Sequence, residues 1–208
     1  MFAPKNSFIR ELRSTVDTFG GKVAALSTQA AAEEEKFKSD ITTQTYRNQR
    51  MSEIQKEFQG AQVAAVQAVD TIQQNFNTRV DIWATPAGSK LNIDLELLKG
   101  SITLTQDELV TLIEKHKDNA IMQRALKEYA NKAGFTVILT HDASHKKEEF
   151  QRVVIAAKSM LTAQTLDRKG YGYNYYEKHW DEIVQPIDDE LGDMKEMYTK
   201  SEGGNMPE

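Results

Sequence analysis

His141 and His145 stand four residues apart, with Asp142, Glu148 and Glu149 close by. On a helix, an i, i+4 histidine pair can share a metal ion, and Glu149 would continue that face. Against this, His141 falls ahead of the helix start that the sequence suggests, and spacing fixes no third ligand. A solvated helix start accounts for the group. Asp188-Asp189-Glu190 with Asp193 is acidic enough to attract calcium, but it lacks the alternating ligands and mid-loop glycine of an EF-hand. The chain has no cysteine, so disulfides, thiolate metal sites and cysteine nucleophiles are excluded. There is no G-x-S-x-G elbow. Gly20-Gly21 lacks the Lys-Ser/Thr sequel of a phosphate loop, and Gly170-x-Gly172 leads into tyrosines. Carboxylates are many, as 27% charged residues require, and no pair is singled out for acid–base work. The expectation is a protein that is not an enzyme, with no catalytic residue, metal or cofactor.

The unusual candidate is aromatic. Tyr171, Tyr173, Tyr175 and Tyr176 fall within six residues. Such a cluster can pack a hinge, anchor a protein interface, or stack on bases or sugars. Arg168, Lys169 and Lys178 are the nearest cations, thin support for a nucleic-acid reading. His116 and His179 fall on or beside apolar faces and read as packed rather than catalytic.

The elements that must position these residues read as helices. No proline occurs between Pro4 and Pro86, and Gly60 is the one glycine from Lys22 to Trp83. Ser7 can cap a short first helix through about Thr18, with Phe8, Leu12 and Val16 on one face and Gly20-Gly21 as its stop. A long helix then follows. If unbroken, its sixty-odd residues reach roughly 90 Å at about 1.5 Å per residue. From Met51 an apolar seam runs through Ile54, Phe58, Ala61, Ala65, Ala68, Ile72 and Phe76 in steps of three and four. The seam fits packing on another chain or, alternatively, a helical hairpin folded back within the monomer. Residues Glu33 to Arg50 look poorly buried.

Thr85-Pro86-Ala87-Gly88 marks the first boundary. Beyond it, alternation at Leu91 to Leu95 and Ser101 to Leu104 suggests a hairpin of two short strands, although Leu95 to Lys99 also suits a helical turn. Thr105 and Glu108 form a capping box opening a helix that carries Leu109, Leu112, Ile113 and His116. Asp118 or Asn119 opens the next, with Gly134 as its stop, and Phe135 to Leu139 suits a third strand. Asp142 or Ser144 begins a helix with Phe150, Val153, Val154, Ala157, Met160 and Leu161 inward. After a glycine- and tyrosine-rich link, Trp180, Ile183, Val184, Ile187, Leu191, Met194 and Tyr198 hold helical phase through Pro186 and Gly192 as a kinked or two-part helix. The fold expected is mainly α, with a helical extension over residues 1–85 that is coiled-coil-like from about 51. An α-rich domain with at most a small β-hairpin or sheet spans 90–169. An acidic amphipathic segment covers 170–200, and a disordered tail 201–208.

Composition bounds the function classes. The chain has 208 residues, 39% hydrophobic, with net charge −5. The excess is local: residues 170–208 carry 3 Lys/Arg against 10 Asp/Glu. No segment is strongly basic, which disfavours direct, specific nucleic-acid binding. Met1 to Arg10 lacks the apolar core of a secretory signal, and no run approaches 18 apolar residues, so no membrane association is expected. The acidic end can dock on a basic partner through Trp180, Ile183, Ile187, Leu191, Met194 and Tyr198, or pack on its own domain. Met51, Ile54, Phe58, Ile72 and Phe76 are the second set of candidate partner-binding residues.

The stretch Thr105 to Lys132, TQDELVTLIEKHKDNAIMQRALKEYANK, resembles segments of head-region proteins of tailed bacteriophages. The likeness lies in T-x-x-E-L, K-D-N and R-A-L-x-E-Y-A. The cysteine-free, charged layout with a long helix and a smaller helical unit is also similar to scaffolding and capsid-associated proteins. The resemblance implies a structural protein of the virion, lining or scaffolding the capsid. It would be multivalent or homo-oligomeric, with the major capsid protein as candidate partner. Many scaffolding proteins end in a basic helix-turn-helix, whereas this chain ends acidic, which favours a lining or adaptor role. The rival reading is a cytoplasmic bacterial adaptor or regulator that binds a partner through its C-terminal amphipathic helix.

Overall fold

The computed structural model describes residues 3–39, 42–85, 94, 98, 103–117, 119–137 and 142–192. Six helices account for most of them: α1 (Ser7–Lys38), α2 (Gln44–Ala84), α3 (Gln106–Lys115), α4 (Ala120–Ala133), α5 (Ala143–Thr162) and α6 (Tyr171–Leu191). The fold is mainly α, and no strand occurs among the described residues. The chain forms two compact units. The first holds residues 1–74 and 151–192, the second 75–150 and 193–208. The partition into 1–85, 90–169 and 170–200 expected from the sequence therefore does not coincide with the units.

Helix α1 is capped by Asn6, one residue before the cap expected. The Asn6 side chain accepts the backbone N–H groups of Phe8 and Ile9 at 3.0 and 3.4 Å, satisfying two donors that no helical carbonyl can reach. The helix does not stop at Gly20-Gly21. Its buried stripe of Ile9, Leu12, Val16, Phe19, Val23 and Leu26 keeps phase across the two glycines. Each glycine costs about 1 kcal/mol of helix propensity, while burying a Phe, Val or Leu side chain contributes roughly 1.5–3 kcal/mol. Packing prevails.

The long helix of the sequence reading is broken instead between α1 and α2. Ser39 closes α1 with its N–H on the Glu35 carbonyl at 3.1 Å. The Thr43 hydroxyl accepts the N–H of Tyr46 at 3.3 Å, and Arg47 N–H reaches the Thr43 carbonyl at 3.0 Å, so Thr43 caps α2. The chain folds back here. Phe19 meets Phe58 with ring centroids 6.0 Å apart. Lys22 pairs with Glu57, and Arg47 with Glu34 while lying over the Phe37 ring. Those pairings are antiparallel.

The remaining neighbours in the first unit are antiparallel as well. Along α2 and α5, Gln62 donates to the Leu161 carbonyl at 3.0 Å, Lys158 pairs with Asp70, and Gln73 bonds Gln151. Along α1 and α6, Arg13 pairs with Glu177 at 3.0 Å and lies over the Trp180 ring, while Asn6 meets Asp188. Between α5 and α6 the turn is tight. Gly170 N–H bonds the Ala163 carbonyl at 2.7 Å, and Gln164 bridges to Lys169. This unit is an up-down-up-down four-helix arrangement.

The second unit packs the end of α2, the start of α5, and the pair α3 and α4. Leu109, Leu126 and Ala130 form its core, flanked by Leu98, Leu112, Ile113, Tyr129, Phe135 and Val137. Phe76 stacks on Phe150 at 3.9 Å. The expected capping box is present. Glu108 N–H reaches the Thr105 hydroxyl at 3.3 Å, and the Glu108 carboxylate accepts the Thr105 N–H at 2.8 Å. That N–H, with the Thr105 hydroxyl, holds the Glu108 carboxyl below its ordinary range. Asn119 caps α4, and Gly134 ends it at φ 75°, where a side chain would be strained. Asp142 caps α5 through the N–H of His145 at 2.7 Å. The expected strand at Phe135 to Leu139 is not one over residues 135–137. Most of the expected hairpin lies outside the described residues, as does residue 138 onward of that strand. Within the hairpin stretch Asp94 is helical, and Thr103 and Leu104 are not strand.

Two glycine substitutions test this packing. A Cβ at Gly21 meets nothing within 4 Å. Gly21→Ala should therefore raise stability by about 1 kcal/mol in urea unfolding. A Cβ at Gly170 would sit 2.6 Å from the Ala163 carbonyl oxygen. Gly170→Ala should cost about 1–3 kcal/mol. Equal effects of the two would contradict the close approach of the α5–α6 turn.

Candidate functional surface

Most residues that the sequence offered for partner binding lie inside the chain's own units. Ile54, Phe58 and Ile72 are buried in the first unit and Phe76 in the second, while Met51 is half-buried. Of the two settings considered for this seam, the fold-back of α2 on the chain's own helices is the one the structure displays. The seam drifts: Val69 and Val80 are buried, and Ala68 only half so. A straight helix of 3.6 residues per turn departs from a strict seven-residue repeat by this kind of shift.

The acidic end behaves alike. Helix α6 begins at Tyr171, so the supposed glycine–tyrosine link is already helix, and it runs through Pro186 to Leu191 without interruption. Gly192, at φ 61°, caps it. Trp180, Val184, Ile187 and Leu191 are buried against the first unit, with Ile183 half-buried. Of the two settings considered for this stripe, the structure displays packing within the chain for Trp180, Ile187 and Leu191. Met194 and Tyr198 lie outside the described residues.

Asp188, read as part of an acidic patch, is fully buried. Its two carboxylate oxygens each accept a backbone N–H at 2.8 Å, from Lys5 and Asn6, at the start of α1. The Asn6 side chain completes the clasp by donating to the Gly192 carbonyl at 3.0 Å. A carboxylate at a helix N-terminus also meets the positive end of the helix dipole. Calcium binding is not needed to explain this acid. Among the described residues no cluster of three or more His, Cys, Asp or Glu is placed to hold a metal ion. His141 lies outside them.

Two arrangements in the second unit escaped the sequence reading. Asp94 Oδ2 accepts from Lys115 Nζ and lies against His116 Nε2, both at 2.7 Å. The Lys115 ammonium first, then His116, holds the Asp94 carboxyl below its ordinary range. Lys146 is 1% exposed, with its ammonium 5.3 Å from the centroid of the Trp83 ring. Pairs separated by 21 or more residues in sequence leave no local signal. Only the placement of His116 beside an apolar face hinted at its burial.

What remains outward is the tyrosine face of α6. Tyr171 is 83% exposed and Tyr175 42%. Their rings stack at 6.0 Å, Tyr176 meets Tyr175 edge-on at 5.1 Å, and His179 lies 4.8 Å from Tyr175. Tyr173, by contrast, is buried, with its hydroxyl taken by Lys169. The period of the helix separates the four: Tyr173 turns in with Trp180, Tyr171 and Tyr175 turn out. Exposed, ordered tyrosines present large amphipathic area at low cost in side-chain entropy, a favourable basis for protein contact.

No helix among the described residues is long and apolar enough to cross a membrane. Comparisons with protein-family models, with curated proteins and with solved structures found no match.

Asp188→Ala should destabilise the protein by about 2–3 kcal/mol in urea unfolding, because it strands buried N–H donors at the start of α1. Truncation after Lys178, which removes Trp180, Ile187 and Leu191, should abolish the cooperative transition of the first unit. Asp94 titrates with a defined sign. Its folded carboxyl is held below the ordinary value near 3.9, so its stabilisation is complete above that pH and lost as pH falls through the folded value. Asp94→Asn should flatten the fall in urea midpoint below about pH 4. An unchanged slope would show that this carboxylate carries no such linkage.

Proposed function

We propose that this chain is a non-enzymatic structural protein that works through protein–protein contacts, as a component of a tailed-phage head lining or scaffolding the capsid. The observation that carries the contact-forming part is the division of α6 into two faces. Its inner stripe is used up within the bundle, and its outer face leaves Tyr171 and Tyr175 ordered and exposed. The phage setting rests on the resemblance over Thr105 to Lys132. That stretch forms the α3–α4 pair around Leu109, Leu126 and Ala130, so its apolar positions serve a compact helical unit. Under this reading the major capsid protein is the partner and the virion the location. The rival adaptor reading used the apolar stripe of the last helix as its docking element, and the burial of Trp180, Ile187 and Leu191 favours the first reading over it.

Quantitative mass spectrometry of purified precursor and mature particles tests the proposal. Many copies per particle are expected in the precursor, the mature head, or both. Absence from both, together with recovery of the protein in a one-to-one complex with a cellular partner, would replace it with the adaptor reading.

A further inference from the structure

Apolar cover runs out along the α1–α2 hairpin before the helices do. The Ser27 hydroxyl donates to the Leu166 carbonyl, so the α5–α6 turn sits beside Ser27. Helix α1 continues to Lys38, roughly 16 Å further at about 1.5 Å per residue. Between Leu26 and Ile54, no apolar side chain among the described residues is buried, and Phe37 and Met51 are only half so. The buried residue of this stretch is Glu33, 8% exposed. Its Oε1 accepts from Lys36 at 2.9 Å, and its Oε2 is buried without a hydrogen-bond partner.

Among the described residues, one side chain joins the two helices across this tip. Arg47 of α2 reaches both Glu34 carboxylate oxygens, at 3.0 and 2.5 Å, and lies 5.1 Å from the centroid of the Phe37 ring. The other ion pairs here, Lys36 with Glu33, Lys38 with Glu35 and Arg50 with Glu53, each stay within one helix. Glu33 adds a weaker attraction to Arg50 across the seam, beside the stronger pull of Glu53.

We propose that the tip built from residues 28–39 and 42–53 is a latched element. It opens as a unit while the four-helix bundle stays folded, with Arg47 as the latch and Glu33 as a bias toward opening. Three effects set this balance. A partly exposed ion pair contributes little and is weakened by salt. Helical stretches this short do not hold by themselves in water. A carboxylate buried with an unmade hydrogen bond costs free energy that opening relieves by returning it to water. Elements that respond to partners come from the low-stability end of a structure. The tip is thus the part of the first unit that salt or contact can remodel without unfolding the rest. The proposal goes beyond the function proposed above and does not rest on it.

Hydrogen exchange of the full chain, read by mass spectrometry in increasing urea below the unfolding midpoint, tests it. Amides of residues 30–38 and 48–53 should exchange at least about 100-fold faster than those of 12–26. Their exchange should hold nearly flat in urea while that of 12–26 climbs steeply, because opening the tip exposes little surface. Arg47→Ala should speed both tip stretches together by about tenfold. Arg50→Ala, which breaks a pair within α2, should change residues 30–38 by less than about twofold. Raising NaCl from about 0.05 to about 0.5 M should speed the tip about threefold in the wild type and leave Arg47→Ala unmoved. Glu33→Met, close in volume and without the stranded oxygen, should slow both stretches about tenfold. Tip amides that share the urea dependence of residues 12–26 overturn the proposal, since the tip then opens only with the bundle. So does an Arg47→Ala effect confined to α2, which is fraying of one helix end, or faster exchange in Glu33→Met.

Discussion

The fold-back between α1 and α2 is the constraint on which the first unit depends. Helix α1 carries a buried stripe from Ile9 to Leu26 over five helical turns, too much apolar surface to leave in water. Unbroken continuation into α2 would project that stripe away from its cover. The caps at Ser39 and Thr43 allow reversal instead, and Phe19 then reaches Phe58. Once the hairpin is set, α5 and α6 close the remaining faces. Arg13 on Glu177 and Trp180, and Asp188 on the first amides of α1, then fix α6 in register.

Helical class and several helix ends were legible in the sequence, because their causes are local. Thr105 and Glu108 are three residues apart, and Asn119 and Gly134 act on the backbone beside them. The inward positions Ile54, Phe58, Ile72, Trp180, Ile187 and Leu191 followed from periodicity alone. What covers them did not, since a stripe specifies that it must be buried and not by which helix. The two largest departures share a cause. Gly20-Gly21 was read as punctuation and Ser39 to Thr43 as helix, yet glycine costs a helix less than an in-phase stripe returns. Among the described residues the break is marked by Ser39 and Thr43, whose propensity signal is weaker than that of Gly or Pro.

The candidate surface was half legible. A run of four tyrosines drew notice, but its reading as a link hid the fact that helical phase sorts them into one inward and two outward rings. The acidic residues nearby misled in a different way. Asp188 counted as surface charge, whereas it is the buried acceptor for α1. Net charge over a segment says nothing of which carboxylates face water.

The division of the first unit between residues 1–74 and 151–192 has a consequence for biosynthesis. A ribosome elongating at about 5–20 residues per second needs roughly 4–15 s to pass through the intervening stretch. For that interval the nascent α1–α2 hairpin has emerged without the two helices that complete its cover. Its apolar edge is then open to chaperone holdases, or to a neighbouring nascent hairpin on the same polysome. Yield in a cell would accordingly track translation speed through the middle of the message, a quantity that the equilibrium stability of the finished chain does not contain.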